Sequence, residues 1–323
     1  MDPFVSVIVA TRNRAGLLAE TLEGLARQQW PRGALEIIVA DNASTDGTRL
    51  AVETAAARAG APPIRYLFVP ECGKSHAVNA ALAIADGDVL AFTDDDVVPE
   101  PNWISRLVAA LDETGAEFAA GRILPRWEAT PPSWVSPALY GVLAIPDNGE
   151  TRLLIATGDH FDIIPVGANM ALRRLVVERV GGLRADLGKL DGTLRTGEDH
   201  EFFLRMLASG FRGVYEPTAT VRHWVPRERL HRAYFRRWLH QNGRDVARLE
   251  VGYTTGVRRW LGVPRYLWRR LAVDAVDTLL AALTGDARRR IASGMRVVWF
   301  AGYVREAWFG ADRAQAMRLA GNR

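Results

Sequence analysis

The chain has 323 residues, 48% of them hydrophobic and 24% charged, with 29 Gly, 16 Pro and one Cys. This profile fits one large or two ordinary globular domains and excludes a collagen-like or low-complexity chain, while the lone Cys72 excludes a disulfide framework or a cysteine-built zinc site. The net charge of +4 is uneven: from Arg222 to Arg323 there are 21 Arg and no Lys against 8 Asp and Glu, an excess of 13, so the preceding residues are net −9.

Residues 4–10 form an apolar, β-branched run that ends at Thr11, with Asp2 ahead of it. The run is too short and wrongly flanked for a signal peptide and predicts a buried first strand. Helical spacing of Leu17, Leu18, Leu22 and Leu25 predicts a helix over 15–29. A second strand is expected at 35–40, then a helix at about 47–58 capped by Asp46, a third strand at 64–69 and a third helix at 74–85. A fourth strand follows at 88–93, a helix whose first turn suits Pro101, and a fifth strand at 117–122. Such alternation predicts an α/β fold with a mostly parallel sheet flanked by helices.

Residues 123–158 lose regular pattern and carry five Pro with Trp127 and Trp134, as a lid or binding loop does. Strands are expected at 161–166 and 168–172, then a Gly-rich turn region, and a helix at 200–209 entered through Glu198 and Asp199. The basic tail reads as mostly helical and holds six of the ten Trp. In one amphipathic helix, 266–283, Trp268, Leu271, Ala272, Ala275, Leu279 and Ala282 lie on one face. Arg269, Arg270, Asp274, Asp277 and Thr278 lie on the other. A second helix is expected at 291–309. No stretch reaches the ~18–20 apolar residues of a transmembrane helix. A cytoplasmic protein is expected.

In α/β folds ligands sit beyond the carboxyl ends of the strands. There this sequence places Thr11 to Arg14 after strand one, Asp41 to Asp46 after strand two, and Asp94-Asp95-Asp96 after strand four. Three adjacent carboxylates repel unless cations or donors offset them. Alternation along a strand lets Asp94 and Asp96 face one ligand while Asp95 faces away, and such oxygen ligands suit Mg²⁺ or Mn²⁺. A solvated acidic turn capping the next helix would show the same three letters.

The runs VSVIVATRNR, EIIVADNASTDGT and GKSHAVNAALAIADGDVLAFTDDDVVPEPNWISRL resemble the family-2 glycosyltransferases of the GT-A fold. The resemblance continues through VGANMALRR and TGEDHEFFLRMLASGFRGVYEP and covers roughly residues 3–240. It implies a GT-A catalytic domain at 1–225, with a nucleotide-binding half at about 1–122 and an acceptor half at about 123–225. A helical C-terminal extension at 226–323 follows. The implied reaction moves a sugar from a nucleotide diphosphate sugar, a UDP-sugar foremost, to an acceptor hydroxyl. By the same resemblance Thr11 and Arg14 approach the base and ribose, Asp41 reads the base or ribose, and Lys74 approaches the nucleotide. Asp94, Asp95 and Asp96 form the DxD motif, Asp94 nearer the ribose and Asp96 on Mn²⁺ or Mg²⁺. Asn169 lines the donor and acceptor pocket. Asp199 is the catalytic base, with Glu198 beside it, and His223 completes the metal site or touches the pyrophosphate, the alternative being a packed or surface histidine.

One positioned carboxylate that accepts the proton of a sugar hydroxyl, opposite the leaving group, suffices for inversion at the anomeric carbon. A sugar-phosphate nucleotidyltransferase is a rival, but its Gly-rich basic loop after strand one is replaced here by TRNRAG. A non-catalytic carbohydrate- or membrane-binding protein of the same fold is another, opposed by the intact acids. The acceptor is expected to be a glycan or lipid-linked. The basic, Trp-rich tail predicts either packing on the catalytic domain or attachment to an anionic membrane at the inner face of the cell. No nucleic-acid motif is present.

Overall fold

The computed structural model describes residues 2–31, 34–156, 165–188, 194, 196–253 and 257–310. The chain divides into two compact units. The first comprises residues 1–126, 144–191 and 198–225, and the second 127–143, 192–197 and 226–323.

The first unit is built on a nine-stranded sheet. Its first half alternates strand and helix: β1 (Val5–Thr11), α1 (Ala15–Ala26), β2 (Leu35–Asp41), α2 (Thr48–Ala56), β3 (Ile64–Phe68), α3 (Lys74–Ile84) and β4 (Val89–Asp94). β1 and β2 are apolar along almost their whole length because both of their faces are covered, as the sequence runs require. β3, β2, β1 and β4 lie side by side in parallel. Beyond β4 the sheet turns antiparallel. β8 (Met170–Arg173) pairs with β4, and β6 (Phe118–Trp127) pairs with β8. The long β9 (Gly213–Val225) carries β5 (Val97–Pro99) and β7 (Leu153–Ile155), both antiparallel. Strand direction depends on which distant segments pair, so the mixed character has no local sequence signal. α4 (Trp103–Thr114), α5 (Arg174–Val180) and α6 (Glu198–Ala208) complete the unit.

Two expectations shift. The stretch 123–158 is more regular than its composition implies: β6 runs on through Pro125 to Trp127, a 3-10 helix covers Pro137–Leu143, and β7 follows. Proline is tolerated in a strand wherever no ladder donor is needed. The helix expected at 200–209 starts at Glu198, so the two acids occupy its first turn, where the helix dipole favours negative charge. The strand expected at 161–166 and the centre of the Gly-rich region lie largely outside the described residues.

In the second unit three long helices dominate: α7 (Arg232–Tyr253), α8 (Arg265–Leu283) and α9 (Ala287–Phe309). A two-stranded hairpin, β10 (Arg259–Trp260) with β11 (Val263–Pro264), precedes α8. α7 and α9 approach so closely that a Cβ on Gly243 would stand 2.1 Å from the Trp299 carbonyl oxygen, and one on Gly302 2.0 Å from that of His240. Ala247, Val263, Leu267, Phe300 and Tyr303 form the unit's apolar core. Among the described residues no helix is long and apolar enough to cross a membrane.

Candidate active site

The strand registers bring the acids together. Thr11 pairs with Asp41 across β1 and β2, and Ala10 pairs with Asp94 across β1 and β4. Thr11, Asp41 and Asp94 therefore lie at the carboxyl rim of the parallel strands. On the other flank, β5 pairs with β9 so that Val97 faces His223, and the Trp224 N–H donates to the Asp96 carbonyl at 2.8 Å. A residue more than a hundred positions away is thereby set against the third Asp. His223 Nε2 lies 3.4 Å from Asp96 Oδ1.

Asp94, Asp96 and His223 present ligand atoms within 4.8 Å of one another. Asp96 Oδ1 is buried and accepts no hydrogen bond. A buried carboxylate oxygen without a donor is costly, and two carboxylates with one imidazole form a donor set suited to a divalent cation. The residues therefore fit a divalent metal. Asp95 points elsewhere. It accepts from Thr11 Oγ1 at 2.8 Å and from Arg14 Nη1 at 2.9 Å, and the same Arg14 nitrogen reaches Asp96 Oδ2 at 2.8 Å. Burial pushes the Asp95 carboxyl up to about 6, against the pull of Arg14 and helped by the charge of Asp96. Burial disfavours the Arg14 cation too, but Asp95 and Asp96 outweigh it and raise its pKa.

Lys74 begins α3 and pairs with Asp94 Oδ1 at 2.5 Å. Burial works against its charge, yet Asp94, Asp199 and Glu198 together raise its pKa. One ammonium thus lies within the field of both Asp94 and the acids that open α6. Asp199 accepts the Gly167 N–H at 3.0 Å through Oδ2. Burial raises its pKa, Lys74 opposes the rise and Asp94 adds to it. For Glu198, burial and then the Asp199 charge lift the carboxyl to about 7, against Lys74.

The rim loops are stitched by side chains. Asp41 Oδ1 accepts from the Ser44 N–H at 2.9 Å and Oδ2 from the Tyr66 hydroxyl at 2.7 Å. Tyr66, partly buried and bonded to that carboxylate, rises to about 12. Asp46 binds the Thr48 N–H at the start of α2 and also the Ala15 N–H at the start of α1, so one carboxylate serves two helices. Asn42 is a residue that sequence reasoning missed. Its amide donates to the Glu71 carbonyl at 2.6 Å and accepts from the Gly73 N–H at 2.8 Å, holding the segment that delivers Lys74. Its only signal was its place beside Asp41.

Asn169 is 1% exposed and saturated. Its Oδ1 accepts from Trp103 Nε1 at 2.7 Å, and its Nδ2 donates to the carbonyls of Arg122 and Ala219, each at 2.9 Å. A Cβ on Gly121 would stand 2.4 Å from this amide, so glycine makes room for it. The geometry makes Asn169 a brace between β6, β8, β9 and α4, with no amide proton left for a sugar. Asn169→Ala should therefore lower stability by about 2–4 kcal/mol, the cost of stranding several buried partners, in thermal or denaturant unfolding. Unchanged stability with weakened donor binding would return the residue to the pocket lining that the resemblance implies.

Comparison with known proteins follows the same lines. The family model described as Glycosyl transferase family 2 matches residues 6–181. The chain is 32% identical over 246 residues to ExoM, a succinoglycan biosynthesis protein of Rhizobium meliloti, across 75% of this chain and 74% of ExoM. It is 28% identical over 303 residues to the pre-mycofactocin glycosyltransferase of Mycobacterium tuberculosis, across 90% of this chain but only 58% of that relative. Among solved structures, the mannosyltransferase PcManGT from Pyrobaculum calidifontis, in complex with GDP-Man and Mn²⁺, superposes with a TM-score of 0.66 at 24% identity, over 95% of this chain and 88% of that one. S. aureus TarS 1–349 in complex with UDP-GlcNAc gives a TM-score of 0.56 at 16% identity, over 96% and 91%. These two structures share the GT-A fold. The family match spans more than half of the chain, and ExoM is aligned over most of its length; the chain belongs to glycosyl transferase family 2.

Proposed function

We propose that the chain is an inverting, metal-dependent glycosyltransferase. It takes a sugar from a nucleotide diphosphate sugar, a UDP-sugar foremost, and places it on the hydroxyl of a glycan or lipid-linked acceptor in surface glycan synthesis. The observation that carries this reading is the convergence of Asp94, Asp96 and His223 in one cluster, linked through Lys74 to Glu198 and Asp199.

Asp94, Asp96 and His223 would hold Mn²⁺ or Mg²⁺, which when bound offsets the negative charge gathering on the departing nucleoside diphosphate. Arg14 and Lys74 supply fixed positive charge at the same rim. Thr11 and Asp41 stand at the carboxyl ends of β1 and β2, where the base and ribose are proposed to lie. Asp199 takes the proton of the acceptor hydroxyl as the new glycosidic bond forms. The Gly167 N–H fixes one of its oxygens. Its partner in the first turn of α6, Glu198, has its pKa raised by burial and by the Asp199 charge, which eases the repulsion between the two. A single base with no carboxylate nucleophile on the sugar predicts inversion.

Proton NMR of a turnover mixture containing a nucleotide-sugar panel, Mn²⁺ and simple glycoside acceptors tests this. The α-linked donor should give a β-linked product. A product of retained configuration would contradict the one-base reading.

A further inference from the structure

Helix α8 is turned opposite to the ordinary sense of an amphipathic helix. Its acids and Thr278 face α9. Asp274 is buried and ion-paired with Arg296, Asp277 pairs with Arg289, and Thr278 donates to Ser293 Oγ at 2.8 Å. Leu267 and Ala281 are buried, but the aliphatic residues between and beyond them on the opposite side face out. Val273 is 67% exposed and Leu283 84%, with Val276, Leu279 and Leu280 also exposed between them. Helical spacing aligns Arg265, Arg269, Val273, Val276, Leu280 and Leu283 on one stripe, cationic at its start and aliphatic beyond. Scattered surface leucines are ordinary, but a continuous apolar row marks a surface that something covers.

The hairpin before α8 repeats the pattern. Its turn is Leu261-Gly262, with φ of 51° and 77°. Glycine adopts this left-handed region freely, whereas leucine is a strained choice there. Leu261 is 57% exposed, and Trp260 beside it is exposed to the same degree. The Trp260 ring packs edge-on against Trp268, and Trp308 Nε1 donates to the Leu261 carbonyl at 2.7 Å, so the tip is held in place. Between hairpin and helix lies a cavity of about 580 Å³ lined by Arg258, Arg259, Trp260, Arg265, Trp268 and Arg269. None of its six lining residues is acidic. Four guanidinium groups and two indoles offer multidentate hydrogen bonding to phosphate oxygens beside rings that favour the boundary between water and hydrocarbon.

We propose that this surface docks the chain on an anionic lipid bilayer. Head-group phosphates enter the Arg–Trp cavity, while the Trp260–Leu261 tip and the outward row of α8 lie among the upper acyl carbons. Charge complementarity selects lipid over a second copy of this chain, because an isologous pairing of the stripe would set its own arginine cluster near a like cluster or leave it unpaired. The inference does not depend on the glycosyltransferase reading, since its readout requires no turnover.

The test is co-sedimentation of the full chain with vesicles of phosphatidylglycerol and phosphatidylcholine in equal parts, and with pure phosphatidylcholine. The intact protein should pellet with the anionic vesicles, less so as salt rises, and weakly or not at all with the zwitterionic ones. Val276→Asp with Leu283→Asp, and separately Arg265→Glu with Arg269→Glu, should each weaken binding by about tenfold or more. The thermal midpoint should hold, because all four residues are exposed. Failure of the intact chain to pellet with anionic vesicles at low salt would overturn the proposal. So would undiminished binding by both variants, or a dimer in light scattering that Val276→Asp with Leu283→Asp dissociates. Calorimetric binding of inorganic pyrophosphate without vesicle binding would make the cavity a soluble-phosphate site and equally overturn it.

Discussion

Asp199→Asn should lower turnover by about 10²–10⁴-fold, the usual loss when a general base is removed, while donor affinity stays unchanged. The range corresponds to about 3–5 kcal/mol of transition-state stabilisation. The substitution is nearly isosteric, and the asparagine carbonyl can still accept the Gly167 N–H, so the loop before β8 keeps its anchor. What disappears is the proposed acceptor of the proton, together with a negative charge beside Lys74 and Glu198. Removing that charge lowers the neighbouring Glu198 carboxyl, since Asp199 is the second largest cause of its rise after burial. Single-turnover kinetics and donor titration separate the two effects. An active variant with weakened donor binding would place Asp199 in the nucleotide site instead.

Asp96→Ala should abolish the metal-dependent part of nucleoside diphosphate binding, a loss of about 100-fold or more given that even outer contacts of a metal site carry 10–100-fold. Asp96 contributes the buried oxygen that accepts no hydrogen bond and that faces His223. Its removal leaves Arg14 paired with Asp95, so the rim keeps a charge partner and the fold should survive. Calorimetric titration of UDP, GDP and dTDP with Mn²⁺ present and absent reads the effect. Equal, metal-independent binding by the wild type and the variant would remove Asp96 from the metal site.

The parts of this molecule legible in sequence are those set by local pattern. β1, β2 and β4 show as apolar runs because both faces of a parallel sheet are buried, and the acids that follow them collect on one rim by topology alone. The pairing of His223 with Asp96 had no such signal. It depends on the β5–β9 register, which joins segments far apart in the chain. Asn169 was visible as a motif residue, but only the packing shows its amide consumed by Trp103 and two carbonyls. α7 was hidden as a separate helix. Its sequence is strongly polar, and Gly243 in its middle reads as a breaker although it permits close contact with α9. The faces of α8 were legible only in part. The grouping of Asp274, Asp277 and Thr278 holds, and ion pairs with Arg296 and Arg289 turn it inward. Arg269 instead shares the exposed side with Val273, Val276, Leu280 and Leu283, while Trp268 and Leu271 of the expected apolar face pack on the core.

The central claim, metal-dependent transfer by the Asp94–Asp96–His223 and Asp199 constellation, is tested most directly by nucleoside diphosphate release from a nucleotide-sugar panel. Wild type, Asp96→Ala and Asp199→Asn are assayed before chelation, after it, and after Mn²⁺ is restored. The account predicts release by the wild type that stops on chelation and returns with Mn²⁺, and little release by either variant under any condition. Release by the wild type that persists unchanged through chelation, or that Asp199→Asn matches, would contradict it.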